Sequence, residues 1–123
     1  MVEQQWQPSL ALVENRFTVG SLVWAGVAGW PSWPAMVDDD PDVGSFFWCE
    51  VREGEWVPRP SCYHVVFFDT GSVSRSWVVD SRLRSFPGTG PELGKERSSA
   101  RLRKAVSEAE LAAGEDLLRR RSR

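Results

Sequence analysis

Between Leu22 and Val37 the chain sets two short apolar runs, Leu22 to Ala25 and Ala35 to Val37, on either side of a connection holding Gly26, Gly29, Pro31 and Pro34. Glycine opens backbone angles closed to other residues, while each proline fixes φ and removes an amide donor. Neither a helix nor one continuous strand passes through such a segment. The two runs read as short strands joined by a stiff bend, and Trp30 and Trp33 ride on that bend. Indoles held on stiff backbone present electron-rich faces at little entropic cost, which suits them to enclosing a cation. The residues alone leave a second reading open, in which both rings cap a small core.

The rest of the chain reads largely as strands. Tyr63 to Phe68 is the strongest strand, and because side chains alternate along a strand, Tyr63, Val65 and Phe67 share one face and His64, Val66 and Phe68 the other. Asp69-Thr70-Gly71-Ser72 is expected to turn the chain, Val73 to Val79 to return antiparallel, and Leu83 to Phe86 to form a last short strand. Residues 43–62 are an insert: Phe46 to Val51 has strand-like residues, whereas Glu53-Gly54-Glu55 and Pro58-Arg59-Pro60 read as turns. Trp48 and Trp56 within it cover an open side of the strands or lengthen a groove. Past Pro91 the composition turns to Ala, Glu, Arg and Leu, and a helix is expected over 92–113. Leu102, Ala105, Val106, Ala109 and Ala113 form its apolar stripe. Gly114 ends it, leaving residues 115–123 as a frayed basic tail. Residues 1–16 form a leader that packs on the rest.

Gly29-Trp30-Pro31-Ser32-Trp33-Pro34-Ala35, preceded by Gly20-Ser21-Leu22-Val23-Trp24-Ala25, resembles the signature of the PWWP domain. Val65-Val66-Phe67-Phe68-Asp69 and Ser74-Arg75-Ser76-Trp77-Val78 resemble that family's next two strands, so the likeness covers roughly residues 17–87. The segment from Met36 to Phe47 is most similar to the subfamily that pairs a CW-type zinc finger with a PWWP domain; mismatch-repair PWWP domains are a more distant comparison. No zinc finger lies within these residues. The resemblance implies a mainly β fold: a five-stranded SH3-like barrel with an insert between strands 2 and 3 and a C-terminal α-helix. Residues 1–16 would be the leader, 17–91 the barrel, and 92–123 the helix and tail. It also implies that the Phe68 face of its strand enters the core, with Phe67 pointing toward the kinked loop.

Function follows from the same likeness. The family's methyl-lysine cage falls on Trp30, Trp33 and Phe67, with Asp69 and Thr70 as peptide contacts. The implied partner is a histone three tail in nucleosomes, trimethylated at lysine thirty-six, and the implied setting is nuclear, with a monomeric domain. Weak DNA binding is common in the family, but Gly26 and Ala28 stand where lysine is usual. Any DNA contact would fall to Arg75, Arg82, Arg84, Arg101, Arg103 and Lys104. Two rival readings are a nucleic-acid-binding module with a vestigial cage and a barrel that takes unmodified peptides.

Charge limits the second function. Residues 1–91 carry six basic and eleven acidic side chains, and residues 92–123 nine basic and six acidic ones. A barrel binding DNA mainly through phosphates would show the opposite sign. Asp38, Asp39, Asp40 and Asp42 flank Pro41 without the spacing of a calcium loop, and read as turn carboxylates able to attract a basic histone tail. Cys49 and Cys62 are too few for a disulfide scaffold or a four-ligand zinc site, and are expected to be reduced. His64 stands alone on an apolar strand, with no pattern marking a nucleophile or an orienting acid. No catalytic residue, metal or cofactor is expected. No apolar run approaches the ~20 residues of a membrane helix, so the expectation is a soluble intracellular protein.

Overall fold

The computed structural model describes residues 5–6, 13–29, 31–68, 74–86 and 99–121. Within them run β1 (Gln5–Trp6), β2 (Leu22–Ala25), β3 (Trp33–Val37), β4 (Phe47–Arg52), β5 (Glu55–Phe67), β6 (Arg75–Val79) and β7 (Leu83–Ser85), then α1 (Ala100–Ala113) and α2 (Leu117–Arg121). One antiparallel sheet, ordered β1-β4-β5-β3-β2-β7 with β6 also on β5, curls into a half-barrel consistent with an SH3-like fold. The kinked loop works as a hairpin connection, and Ala25 pairs with Trp33 immediately across it.

The insert differs from its expected form. Glu53 and Gly54 do make a tight turn, with φ of 53° and 82°, the left-handed pair that matches the twist of a two-residue hairpin. Pro58-Arg59-Pro60, however, is no turn. It lies within β5, which starts at Glu55 and pairs with β4. The pairing register shifts between Trp48 and Cys49 and again before Val51, around the Cys49–Pro60 pair. Such a bulge is where a strand tolerates a residue that cannot donate to the ladder.

Two apolar layers form. Inside the barrel, Val23, Ala25, Ala35, Val37, Phe47 and Tyr63 pack with Val65 and Leu83. Outside β2 and β3, Trp24, Met36, Phe68 and Phe86 meet Leu102, Ala105, Val106, Ala109 and Ala112 of α1. The assignment of strand faces is therefore corrected: Tyr63 and Val65 enter the barrel with Phe67 packed beside them, while Phe68 faces the helix. Alternation was right, but the strand is buried on both faces, so a rule that sends one face inward cannot choose.

The helix begins with Ser99, whose side chain accepts the Leu102 amide at 3.0 Å and so caps one orphan donor. Residues 92–98, where the helix was expected to start, lie outside the described residues. Its buried stripe ends at Ala112, and Ala113 is exposed; both spacings from Ala109 fit helical periodicity, and the slow drift of the stripe selects the shorter. As far as Arg121 the tail is not frayed but forms α2. Arg120 donates to the carbonyls of Gly20 at 2.6 Å, Ala112 at 3.0 Å and Glu115 at 3.0 Å. Arg121 pairs with Asp38 at 2.8 Å and Asp39 at 3.6 Å.

Candidate functional site

The kinked loop and the end of β5 meet at one end of the barrel. Trp33 opens β3, and two residues later Ala35 pairs with Phe67 at the end of β5. Residues related by a cross-strand pair and a two-residue step share one face and stand about 7–8 Å apart. By register Trp33 and Phe67 are thus diagonal neighbours at the barrel mouth, both half-buried, with Phe67 packed against the inner cluster and Trp33 against the outer one. The Trp33 indole N–H donates to the Phe68 carbonyl at 2.7 Å, and the Phe68 amide donates to the Pro34 carbonyl at 3.1 Å. One ring is therefore tied by its polar edge to the strand end that carries the other. Gly29, with φ of 84°, supplies a conformation the loop needs before Trp30. Trp30, Asp69 and Thr70 lie outside the described residues.

A sequence profile of the PWWP domain matches residues 20–114, which takes in the kinked loop, the barrel strands and α1. The chain belongs to the PWWP domain family.

Zinc finger CW-type PWWP domain protein 1 of Mus musculus is 35% identical to this PWWP chain over 100 residues, covering 78% of the chain and 15% of that protein. The protein of the same name from Homo sapiens is 39% identical over 74 residues, or 60% of the chain and 11% of its own length. Histone-lysine N-methyltransferase NSD3 of Mus musculus is 37% identical over 73 residues, 59% of the chain and 5% of the enzyme. The chain thus spans 15% or less of the length of these curated relatives.

The other tryptophans of the PWWP domain do different work. Trp24 is fully buried between sheet and helix, tilted against Phe86. Trp77 lies on the outer face of β6, packed near Trp48 and His64, and donates its indole N–H to Asp40 at 2.9 Å. A hydrogen bond from the Asp42 amide, and after it this one from Trp77, hold the Asp40 carboxyl below its ordinary range. The Asp40–Trp77 link was not legible in the sequence, because 37 residues separate the partners.

The charged candidates do not form one patch. Arg75 is committed to Asp40 at 2.9 Å and Asp42 at 3.0 Å, which raises its pKa further, chiefly through Asp42. Arg82 and Arg84 are exposed at the turn into β7 and on β7 itself, where Arg84 pairs with Trp24. Arg101, Arg103 and Lys104 are exposed on α1. Among the described residues no group of His, Cys, Asp or Glu side chains is arranged to hold a metal.

His64 is 1% exposed, with Nδ1 2.8 Å from the Asp38 carbonyl and its ring edge-on to Trp77. A carbonyl only accepts, so the geometry assigns the proton to Nδ1. Burial removes His64 from contact with any substrate. Cys49 and Cys62 are free and buried, and burial pushes both thiols up, Cys49 to about 11.

Proposed function

We propose that this PWWP domain is a chromatin-reading module that holds a trimethylated lysine of a histone tail between Trp30, Trp33 and Phe67. Membership of a reader family supports a binding role rather than catalysis, and similarity to a histone-lysine N-methyltransferase supports a chromatin setting, hence the nucleus. The observation that carries the reading is the register that sets Trp33 diagonal to Phe67 at the mouth, both half-buried and linked through Phe68. Trimethylammonium donates no hydrogen bond, so water solvates it poorly for a cation. Each π-face offers it about 0.5–2 kcal/mol, and the methyls gain dispersion contact. Lysine thirty-six of histone three is the mark that the family resemblance implies. Calorimetric titration with that peptide, trimethylated and unmethylated, tests the proposal. Equal affinity for both refutes it, as does undiminished binding by Trp30→Ala or Trp33→Ala in protein that keeps a cooperative unfolding transition.

Weak DNA binding is a second reading, and one observation favours it. The Gly26 amide donates to the Arg82 carbonyl at 2.9 Å, and a Cβ on Gly26 would stand 3.6 Å from the Arg82 Cβ. The cation that other family members carry on the loop is here supplied by its neighbour across the β2–β7 edge. Duplex DNA affinity should fall with salt, and Arg82→Ala should reduce the log–log slope by about one.

A further inference from the structure

Trp33 belongs to two assemblies at once. Its position on β3 puts it beside Phe67 at the mouth, yet its ring packs against the cluster formed by Trp24, Met36 and Phe68 with Leu102, Ala105, Val106 and Ala109 of α1. Its indole N–H is anchored on Phe68, whose side chain belongs to that same cluster. The cluster that α1 completes therefore packs against one wall of the proposed cage.

From this arrangement we infer that docking of α1 positions Trp33, so that methyl-lysine binding and helix docking are thermodynamically coupled. The inference rests on the cage reading above and adds a regulated element to it.

The helix has the character of a separable unit. Three of its five buried residues are alanines, which contribute little apolar area. A 14-residue helix is marginal alone in water, so undocking and unwinding occur together. Sub-global opening of such an element proceeds without unfolding the barrel. When α1 opens, Trp33 loses its backing and Phe68 becomes exposed. The rotamer of Trp33 is then no longer fixed, and the cage must order it on binding. Linkage makes the effect reciprocal: a ligand that needs Trp33 in place holds the helix down by the same factor.

Ser107 is exposed in the middle of α1 and belongs to neither cluster. Ser107→Pro breaks the helix there without deleting any packed side chain, and Ser107→Ala is its helix-retaining control. The expected result is that Ser107→Pro binds the trimethylated histone three peptide at least fivefold more weakly than Ser107→Ala, with barrel amide resonances retained. In the unmodified protein, saturating that peptide should slow exchange of the amides of residues 100–113 at least fivefold, and the unmethylated peptide should not. Equal affinity of the two variants, or unchanged helix exchange on binding, overturns the coupling. Should Ser107→Pro lose the barrel as well, the exchange measurement on the unmodified protein decides alone. If the trimethylated peptide fails to bind the unmodified protein, the cage reading falls by itself. The Trp33 indole N–H then still decides the positioning: faster exchange in Ser107→Pro than in Ser107→Ala supports it, and equal rates refute it.

Discussion

Gly20 sits at a junction where one methyl group should be costly for two separable reasons. Its φ is 93°, in the region that L side chains rarely adopt, and a Cβ there would overlap Leu117 Cδ1 of α2. The backbone part of Gly20→Ala costs about 1–3 kcal/mol. The steric part is smaller, because Leu117 is the end of a flexible side chain already 45% exposed; swinging it out loses about 1 kcal/mol of apolar burial. The total is roughly 2–4 kcal/mol, a fall in Tm on the order of 10 °C for a domain of this size. Urea denaturation of Gly20→Ala, Leu117→Ala and the double variant separates the two parts. The double variant should be more stable than additivity predicts by about 0.5–1 kcal/mol, since the overlap is gone and only the backbone strain remains. Strict additivity, or a loss below about 0.5 kcal/mol for Gly20→Ala, would refute the packing of α2 against this turn.

Two further predictions concern titrating groups. Hydrogen bonds from the Asp42 amide and Trp77 hold Asp40 below 3.8; a value depressed in the folded state gives stabilisation that is full above 3.8 and is lost as pH falls through the lowered value. Thermal melts of Asp40→Asn should therefore depend less on pH than those of the unmodified protein below about pH 4, and parallel curves would contradict this. With burial pushing Cys49 to about 11, and Cys62 also raised, both thiols stay protonated and shielded at neutral pH. Iodoacetamide should label both in urea and neither in the native protein, and rapid native labelling would show that β4 and β5 open there.

The strands were legible because their signals are local. Gly26, Gly29 and Pro31 break the chain between Ala25 and Trp33, and a run of β-branched and aromatic residues marks Tyr63 to Phe68. What the sequence hid depends on partners remote along the chain. Phe67 and Phe68 are equally apolar, and their opposite destinations follow from where α1 docks, not from their own chemistry. The turn expected at Pro58-Arg59-Pro60 failed because a bulge in the neighbouring pairing accommodates proline, and no residue in the triplet announces that bulge. The tail carries an uninterrupted basic run that reads as solvated, yet Arg120 is drawn to three carbonyls that exist only once Gly20, Ala112 and Glu115 come together. For the proposed cage, the residue types were visible, and the pairing of Ala35 with Phe67 adds the register that sets Trp33 and Phe67 side by side.

The acidic turn bears on which force brings a ligand to the mouth. Four carboxylates, Asp38, Asp39, Asp40 and Asp42, contact two guanidiniums, Arg121 and Arg75. About half of their charge is thereby neutralised. Asp38 directly follows β3, whose opposite end is Trp33, so five strand steps of about 3.3 Å put the turn roughly 16 Å from the mouth. That is about two Debye lengths at physiological salt, enough to weaken its field there about sevenfold beyond the Coulomb decay. On the proposed reading, attraction to a methylated lysine then comes mostly from the rings at short range, where ions screen little. Raising NaCl from 50 to 300 mM should change the affinity for trimethylated peptide by less than about threefold. The same change should weaken duplex DNA binding through about three phosphate contacts by on the order of a hundredfold. Parallel losses for the two ligands would mean that charge, and not the Trp33–Phe67 mouth, governs both.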